Sequence, residues 1–163
     1  MTDFASYIGR PITNSKVVVE RGPVSNFAEV LKAKEDYFYD INEAKKLGFN
    51  GIPALPTFPF VMEHWGLFKE IQPEDKVTGN PMFEVLGPLM SNGGIILHGE
   101  QSFTFERPIV SGDVLEGKGT VVDCYQKESS GRTMTFVVTE TVWTDVATNE
   151  KVATSRSNII HRK

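Results

Sequence analysis

From Gly93 to the C-terminus the hydrophobic pattern of the chain settles to a period of two, and that period commits almost half of the protein to β-sheet. Ile95, Leu97, Gly99, Gln101, Phe103 and Phe105 alternate with Ile96, His98, Glu100, Ser102, Thr104 and Glu106. Alternation sends successive side chains to opposite faces of a strand. Arg107-Pro108 ends that run, and Ser111-Gly112-Asp113 turns the chain into a second strand, Val114 to Tyr125. Ser129-Ser130-Gly131 turns it again into Arg132 to Thr144, which is rich in Thr, Val and aromatic residues, as strands prefer. Thr148-Asn149-Glu150 is the last turn, before Lys151 to His161. Four strands joined by short turns predict an antiparallel meander.

The first half of the chain reads differently. After the short apolar run Val17-Val18-Val19, Arg21-Gly22-Pro23 has the form of a helix start with proline in its first turn. Phe27, Val30 and Leu31 then give one apolar stripe. Asp40 to Leu47 predicts a second short helix, capped by Asp40 or Asn42 and closed by Gly48. The segment Thr57 to Phe68 carries Phe58, Val61, Met62, Trp65 and Phe68 at helical spacing, with Phe60 and Leu67 elsewhere on the wheel. A helix apolar on most sides belongs in the middle of a fold. Gly87, Gly93 and Gly94 are expected to flank a loop. One helix inside a long antiparallel sheet is an α+β layout, and no linker or repeat divides residues 1–163, so a single domain is expected.

Composition removes several classes of function. The net charge of −4 and the lack of a Lys/Arg cluster argue against a nucleic-acid partner. No apolar run is long enough to span a bilayer, and the N-terminus has no secretory apolar core, so no membrane role and a cytoplasmic location are expected. Neither a phosphate-binding glycine pattern nor Cys/His metal spacing occurs, so no cofactor and no metal are expected. Cys124, the one cysteine, lies in a strand-like run and reads as a packed residue.

Three stretches in order carry a resemblance. They are Ile8-Gly9-Arg10-Pro11 with Val17 to Gly22 and Phe27-Ala28-Glu29; Tyr39-Asp40 with Ala44, Leu47-Gly48 and Pro56-Thr57-Phe58; and Leu97-His98-Gly99-Glu100-Gln101 with Arg107-Pro108, Gly112-Asp113 and Arg132 to Phe136. In these the chain resembles the MaoC-like (R)-specific enoyl-thioester hydratases and dehydratases. Within them it is similar to the non-catalytic half, as in the partner subunit of mycobacterial (3R)-hydroxyacyl-carrier-protein dehydratases. The resemblance implies a hot-dog fold, a sheet wrapped around a central helix formed by Thr57 to Phe68. It also implies edge-to-edge pairing of two such units, with an acyl thioester in a tunnel between them.

Catalytic members carry an Asp and a His on the loop after the first helix, and together these hold the water that adds across the Cα–Cβ bond. The resemblance places Ala33 at the Asp position and Phe38 at the His position, and neither moves a proton. Lys34-Glu35-Asp36 supplies acids nearby, but no His precedes His64.

The remaining candidates each have a plain reading beside the functional one. Pro56, Thr57 and Phe58 open the central helix, whose N–H groups suit a thioester carbonyl that gains charge as an enolate; plain capping by Thr57 is the alternative. Phe38 is expected to face the same ligand. Glu63 and His64 are an acid–base pair or two core residues, and adjacent helical residues diverge by about 100°. His98 lies near the tunnel or merely on a polar strand face. Gly99 leaves room for close approach of a ligand or of another backbone. Asp113 is a turn residue, and His161, near the C-terminus, reads as solvated.

Three functions therefore stand. The first is a dehydratase or hydratase subunit acting on an acyl-CoA or acyl-carrier-protein thioester, paired with a dyad-bearing chain. The second is a self-sufficient homodimeric hydratase or thioesterase using Glu63, His64 or His98. The third is a non-catalytic, acyl-thioester-binding homodimer.

Overall fold

The computed structural model describes residues 4–75, 77 and 81–163. Its sheet has five strands: β1 (Pro11–Val18), β2 (Ile95–Phe105), β3 (Val114–Ser129), β4 (Arg132–Asp145) and β5 (Lys151–Arg162). All neighbours are antiparallel, in the order β1-β3-β4-β5-β2. The four strands expected from periodicity form, β3, β4 and β5 running past their expected ends and β2 stopping at Phe105, and β1 joins them although only its Val17-Val18 end was visible as an apolar run.

The meander is corrected in one respect. β3, β4 and β5 follow one another, but β2 crosses to the far side of the sheet and pairs with β5. Turn residues mark where strands end and say nothing of which neighbour each strand takes. The crossover from Glu106 to Asp113 is fastened by Arg107, which bonds Asp113 just before β3 and Asp145 at the end of β4.

Helices α1 (Arg21–Val30), α2 (Ile41–Lys46), α3 (Glu63–Gly66) and α4 (Pro81–Ser91) are the described α-helices. Asp40 caps α2 by accepting the Asn42 N–H at 2.7 Å. The buried side of α1 is Val24 and Ala28, with Phe27 packed beside them. Val30 and Leu31 are exposed, which corrects the stripe expected from Phe27, Val30 and Leu31.

The expected Thr57–Phe68 helix is also corrected. It forms a 3-10 turn at Phe58–Phe60 and then the single turn of α3. Pro59 contributes no N–H, and Leu67 (ψ 83°) leaves helical space. The Met62 and Gly66 N–H groups still bond four residues back, to Phe58 and Met62, so the two pieces keep one direction. Phe58 and Met62 are buried in the main core with Val17, Leu115, Trp143 and Val152. Burial of Phe58 alone contributes about 2–3 kcal/mol. Phe60, Trp65 and Leu67 remain exposed, so only one side of this segment is interior.

Gly87 lies inside α4, not beside a loop. Gly and Pro at 87 and 88 argue against a helix locally, and tertiary packing overrides them. Val85 and Leu86 are buried against Val121, Cys124 and Val137, and Arg10 clamps Glu84 through two bonds of 2.8 and 2.7 Å. His161 is buried, at 2% exposure, with Nε2 2.9 Å from the Gly93 carbonyl oxygen, so the solvated reading fails. Its position near the C-terminus is irrelevant because β5 extends almost to the last residue. Among the described residues no helix is long and apolar enough to cross a membrane.

The β3–β4 turn offers a test of local fit. Ser130 (φ 53°) and Gly131 (φ 71°) both take the left-handed region, as a two-residue hairpin turn of the mirror type requires. Asn tolerates that region better than Ser. Ser130→Asn is expected to raise stability by about 0.5 kcal/mol, read as a higher urea midpoint with an unchanged slope. An unchanged or lower midpoint would contradict the turn assignment.

Candidate functional site

The loop after α1 is built to a defined shape. Lys32 turns the chain (φ 59°), and the Ala33 N–H bonds the Ala28 carbonyl. Tyr39 donates its hydroxyl to the Ala33 carbonyl at 2.7 Å, Ser25 donates to the Phe38 carbonyl at 2.9 Å, and Arg21 donates to the Tyr39 carbonyl at 2.8 Å. The two positions of interest are thereby fixed, Ala33 ahead of a short 3-10 turn, Asp36–Phe38, and Phe38 as its last residue. Phe38 is buried, and its ring centre lies 4.4 Å from that of Tyr37, which in turn lies 6.2 Å from Phe49.

A cavity of about 430 Å³ opens beside this loop. Tyr37, Phe38 and Phe49 form one wall, Pro53, Ala54 and Pro56 a second, and Phe105 to Ile109 the third. The second and third walls are stitched together. Ala54 N–H bonds Ile109, Ser111 N–H bonds Ile52, and the Ser111 hydroxyl accepts the Ile52 N–H, each at 2.8 Å. The cavity is apolar apart from Glu106 and Arg107 at its edge, a lining suited to a hydrocarbon group.

Phe38 and Pro56 are thus brought together. Phe58 turns the other way, into the core, where it meets Phe27 and Trp65 at 5.6 and 6.2 Å. Thr57 is exposed and makes no side-chain cap. The Phe58 N–H is already donated to Leu55, and Pro59 has none, so this end offers fewer free donors than a full helix would.

His98 and Gly99 lie on β2, outside the cavity wall. The His98 ring packs on Phe60 with centres 5.4 Å apart. Gly99 begins a bulge in β2, and a Cβ there would collide with the Asn158 side chain. Asn158 accepts the Glu100 N–H at 2.9 Å, so the room left by Gly99 is taken by a residue of β5.

Glu63 and His64 diverge as adjacent helical residues should. The Glu63 carboxylate accepts the Ser15 hydroxyl at 2.7 Å and the Thr13 hydroxyl at 3.3 Å, tying α3 to β1. His64 is exposed and packs edge-on to Trp65. Cys124 is buried, and burial with the charge of Asp123 pushes its thiol up to about 11. It is not a thiolate near neutral pH, as a packed residue requires.

The group missed in the sequence is Arg107 with Asp113 and Asp145. Arg107 reaches Asp113 Oδ2 at 2.7 Å and Asp145 Oδ2 at 2.6 Å, and Asp113 also accepts the Val110 N–H at 3.0 Å. Burial pushes the Asp145 carboxyl up, but the N–H groups of Ala147 and Thr148 and the guanidinium outweigh it and hold it below its ordinary value. Asp113 is therefore more than a turn residue. The charge of Arg107 is committed to these acids, and its stem walls the cavity.

The profile of the family described as "FAS1-like, dehydratase domain region" matches residues 6–155. A curated relative, a UPF0336 protein of Thermobifida fusca, is 26% identical over 144 residues, covering 88% of this chain and 83% of the relative. Among solved structures the chain is similar to the HadBC complex, a 3R-hydroxyacyl-ACP dehydratase of Mycobacterium tuberculosis. That likeness has TM-score 0.69 and 19% identity, covering 98% of each chain. A MaoC-like dehydratase of Phytophthora capsici gives TM-score 0.66 and 22% identity, covering 99% of this chain but 50% of that one. These likenesses show the hot-dog fold.

Proposed function

Because the chain belongs to the FAS1-like dehydratase-region family, we propose that it is an acyl-thioester-binding hot-dog subunit of a (3R)-hydroxyacyl-thioester dehydratase or enoyl-thioester hydratase. In this reading it holds the acyl group and a second, dyad-bearing chain supplies the proton chemistry. The observation that supports this is the loop from Leu31 to Asp40. Its backbone is held in shape by Ser25, Tyr39 and Arg21, yet the positions that the resemblance assigns to Asp and His carry Ala33 and a buried Phe38. The acyl cavity persists beside a water site that has lost its acid and base.

Pairing through β2 completes the picture. The outer edge of this strand has no neighbour among the described residues, and Ile95, Ile96 and Leu97 are exposed along it. A long apolar edge calls for a partner strand, and exposed Phe60, packed on His98, extends the same surface. The pair in solution is expected to be a heterodimer, with residues 1–163 acting as one domain. A self-contained site built on Glu63 and His64 is disfavoured, since Glu63 is bonded to β1 and His64 faces away from it.

The test is calorimetric titration with a trans-2-enoyl-CoA against the chain and against Ala54→Phe, which fills the cavity. Binding to the natural chain and a loss of at least about tenfold in the variant are expected, a loss of about 1.4 kcal/mol. Equal affinities at equal thermal stability would remove the cavity from the acyl path.

A further inference from the structure

All the described α-helices lie on one face of the sheet: Phe58 and Met62 cover Val17 and Trp143, and α4 covers Val121, Cys124 and Val137. Residues alternate with these across the opposite, open face. At the end of the sheet formed by the β3–β4 hairpin, register sets Tyr125, Phe136, Ile160 and Leu97 side by side on four successive strands of that open face. The next row is Lys127, Met134, Arg162 and Ile95. The rings of Tyr125 and Phe136 stack at 4.8 Å, with Lys127 Nζ 5.2 and 5.6 Å from their centres. Arg132 stands at the turn, and Lys163 continues β5, its N–H bonded to the Thr133 carbonyl.

Charge is segregated here. The chain holds 21 acids and 17 Lys or Arg. Elsewhere on the open face cations have acids beside them, Lys118 with Glu116 at 3.0 Å and Arg156 with Glu140 at 3.5 Å. Among the described residues, Lys127, Arg132, Arg162 and Lys163 form no ion pair. Along β3 the flanking acids are Asp123, one row further from the hairpin, and Glu128, which register turns to the opposite face.

We propose that this aromatic, cation-rimmed surface is the docking site for an acidic helical partner: the carrier protein that presents the acyl thioester. The apolar row crosses four strands, about 15 Å, which accommodates one helix of 10–12 Å diameter. Aromatic residues and Arg at the centre of a patch, with charge at its rim, are the composition of a protein interface. The phosphates of coenzyme A would also meet these cations, but coenzyme A has no helix to cover an apolar row four strands wide, so the extent of the patch favours the carrier form of the substrate. The proposal rests on the acyl-thioester reading above. Antiparallel pairing of two hot-dog chains through β2 would set the Ile95 end of this chain beside the Phe105 end of its partner. A carrier docked here would then present the thioester to the partner's dyad, which suits a chain that holds the acyl group and has no dyad of its own.

The experiment measures binding of crotonyl-loaded bacterial acyl carrier protein and, separately, crotonyl-CoA. It compares the natural chain with the triple variant Lys127→Glu, Arg132→Glu, Arg162→Glu. Carrier affinity is expected to fall at least about tenfold in the variant and about as much between low and high salt, with crotonyl-CoA changed less than about twofold. The conservative triple Lys127→Arg, Arg132→Lys, Arg162→Lys should keep carrier binding. If the reversed triple does not fold, Lys127→Glu alone with the salt titration reads the same effect. Carrier binding that ignores the reversal overturns the proposal. Binding of crotonyl-CoA without binding of the carrier overturns it too, while leaving the thioester reading intact. Binding of neither overturns the thioester reading itself. Reversal-sensitive sedimentation with phosphatidylglycerol vesicles, without carrier binding, would reassign the patch to a membrane surface and overturn the proposal.

Discussion

Purified alone, the chain is expected to hydrate crotonyl-CoA no faster than buffer, and to become active only when mixed with a dyad-bearing hot-dog chain. Activation of one water needs a proton acceptor and a proton donor within hydrogen-bond reach of it. Ala33 and Phe38 supply neither, and Phe38 fills the space with a ring that is 7% exposed. Loss of one acid–base partner costs about 10²–10⁴-fold, so the loss of both is a large effect. Ala33→Asp with Phe38→His is expected to restore a small fraction of the missing rate. The Ala33 carbonyl is already held by Tyr39, so the loop keeps its course. The new imidazole would nevertheless enter an aromatic pocket without a polar group to orient it, which limits the recovery. An ordinary enzymatic rate from the contaminant-free chain would overturn the subunit reading, and Glu35, Asp36, His64 and His98 would be the residues to substitute first.

Much of the sheet was legible because a period of two is a local signal that survives without knowledge of neighbours. Turn residues located the strand ends for the same reason. The order of the strands was not legible: β2 takes β5 as its partner, and the Glu106–Asp113 crossover that this order requires is fastened by Arg107 to Asp113 and Asp145. Arg107 and Asp113 are 6 residues apart, but Asp145 lies 38 residues from Arg107, and no local pattern joins it to them. α4 was hidden by Gly87 and Pro88, whose local preference is overruled by the burial of Val85 and Leu86. The central helix is shorter than its helical apolar pattern implies, because Pro59 confines its start to a 3-10 turn and the backbone leaves helical space at Leu67.

The candidate site divides along the same line. Phe38 and Pro56 share a cavity, and their grouping came from motif order alone. The room above Gly99 was expected for a ligand or another backbone; the Asn158 side chain of β5 fills it, and only the register between β2 and β5 could say so. His161 was misplaced because distance from the C-terminus is a poor guide to burial when the last strand reaches almost to the end of the chain.

Arg107→Met is expected to lower unfolding stability by about 2–3 kcal/mol at pH 7. Removing one partner of a buried ion pair costs about 3–5 kcal/mol because the opposite charge is left uncompensated. Arg107 is 35% exposed at its side chain, which reduces the effect, but two carboxylates are abandoned at once, 10% and 14% exposed. The loss depends on pH with a definite sign. Asp145 is held below its ordinary value in the folded chain, so its contribution is fully present above the unfolded value of about 3.9 and fades as pH falls through the folded one. In the Met variant the favourable partner is gone and the two acids repel, so acid weakens the variant less than the natural chain. Urea unfolding at a series of pH values should therefore show two stability curves well separated at neutral pH and converging below about pH 4. A gap that stays constant from pH 7 to pH 3 would mean that Arg107 acts through the packing of its stem against the cavity wall, not through its two ion pairs.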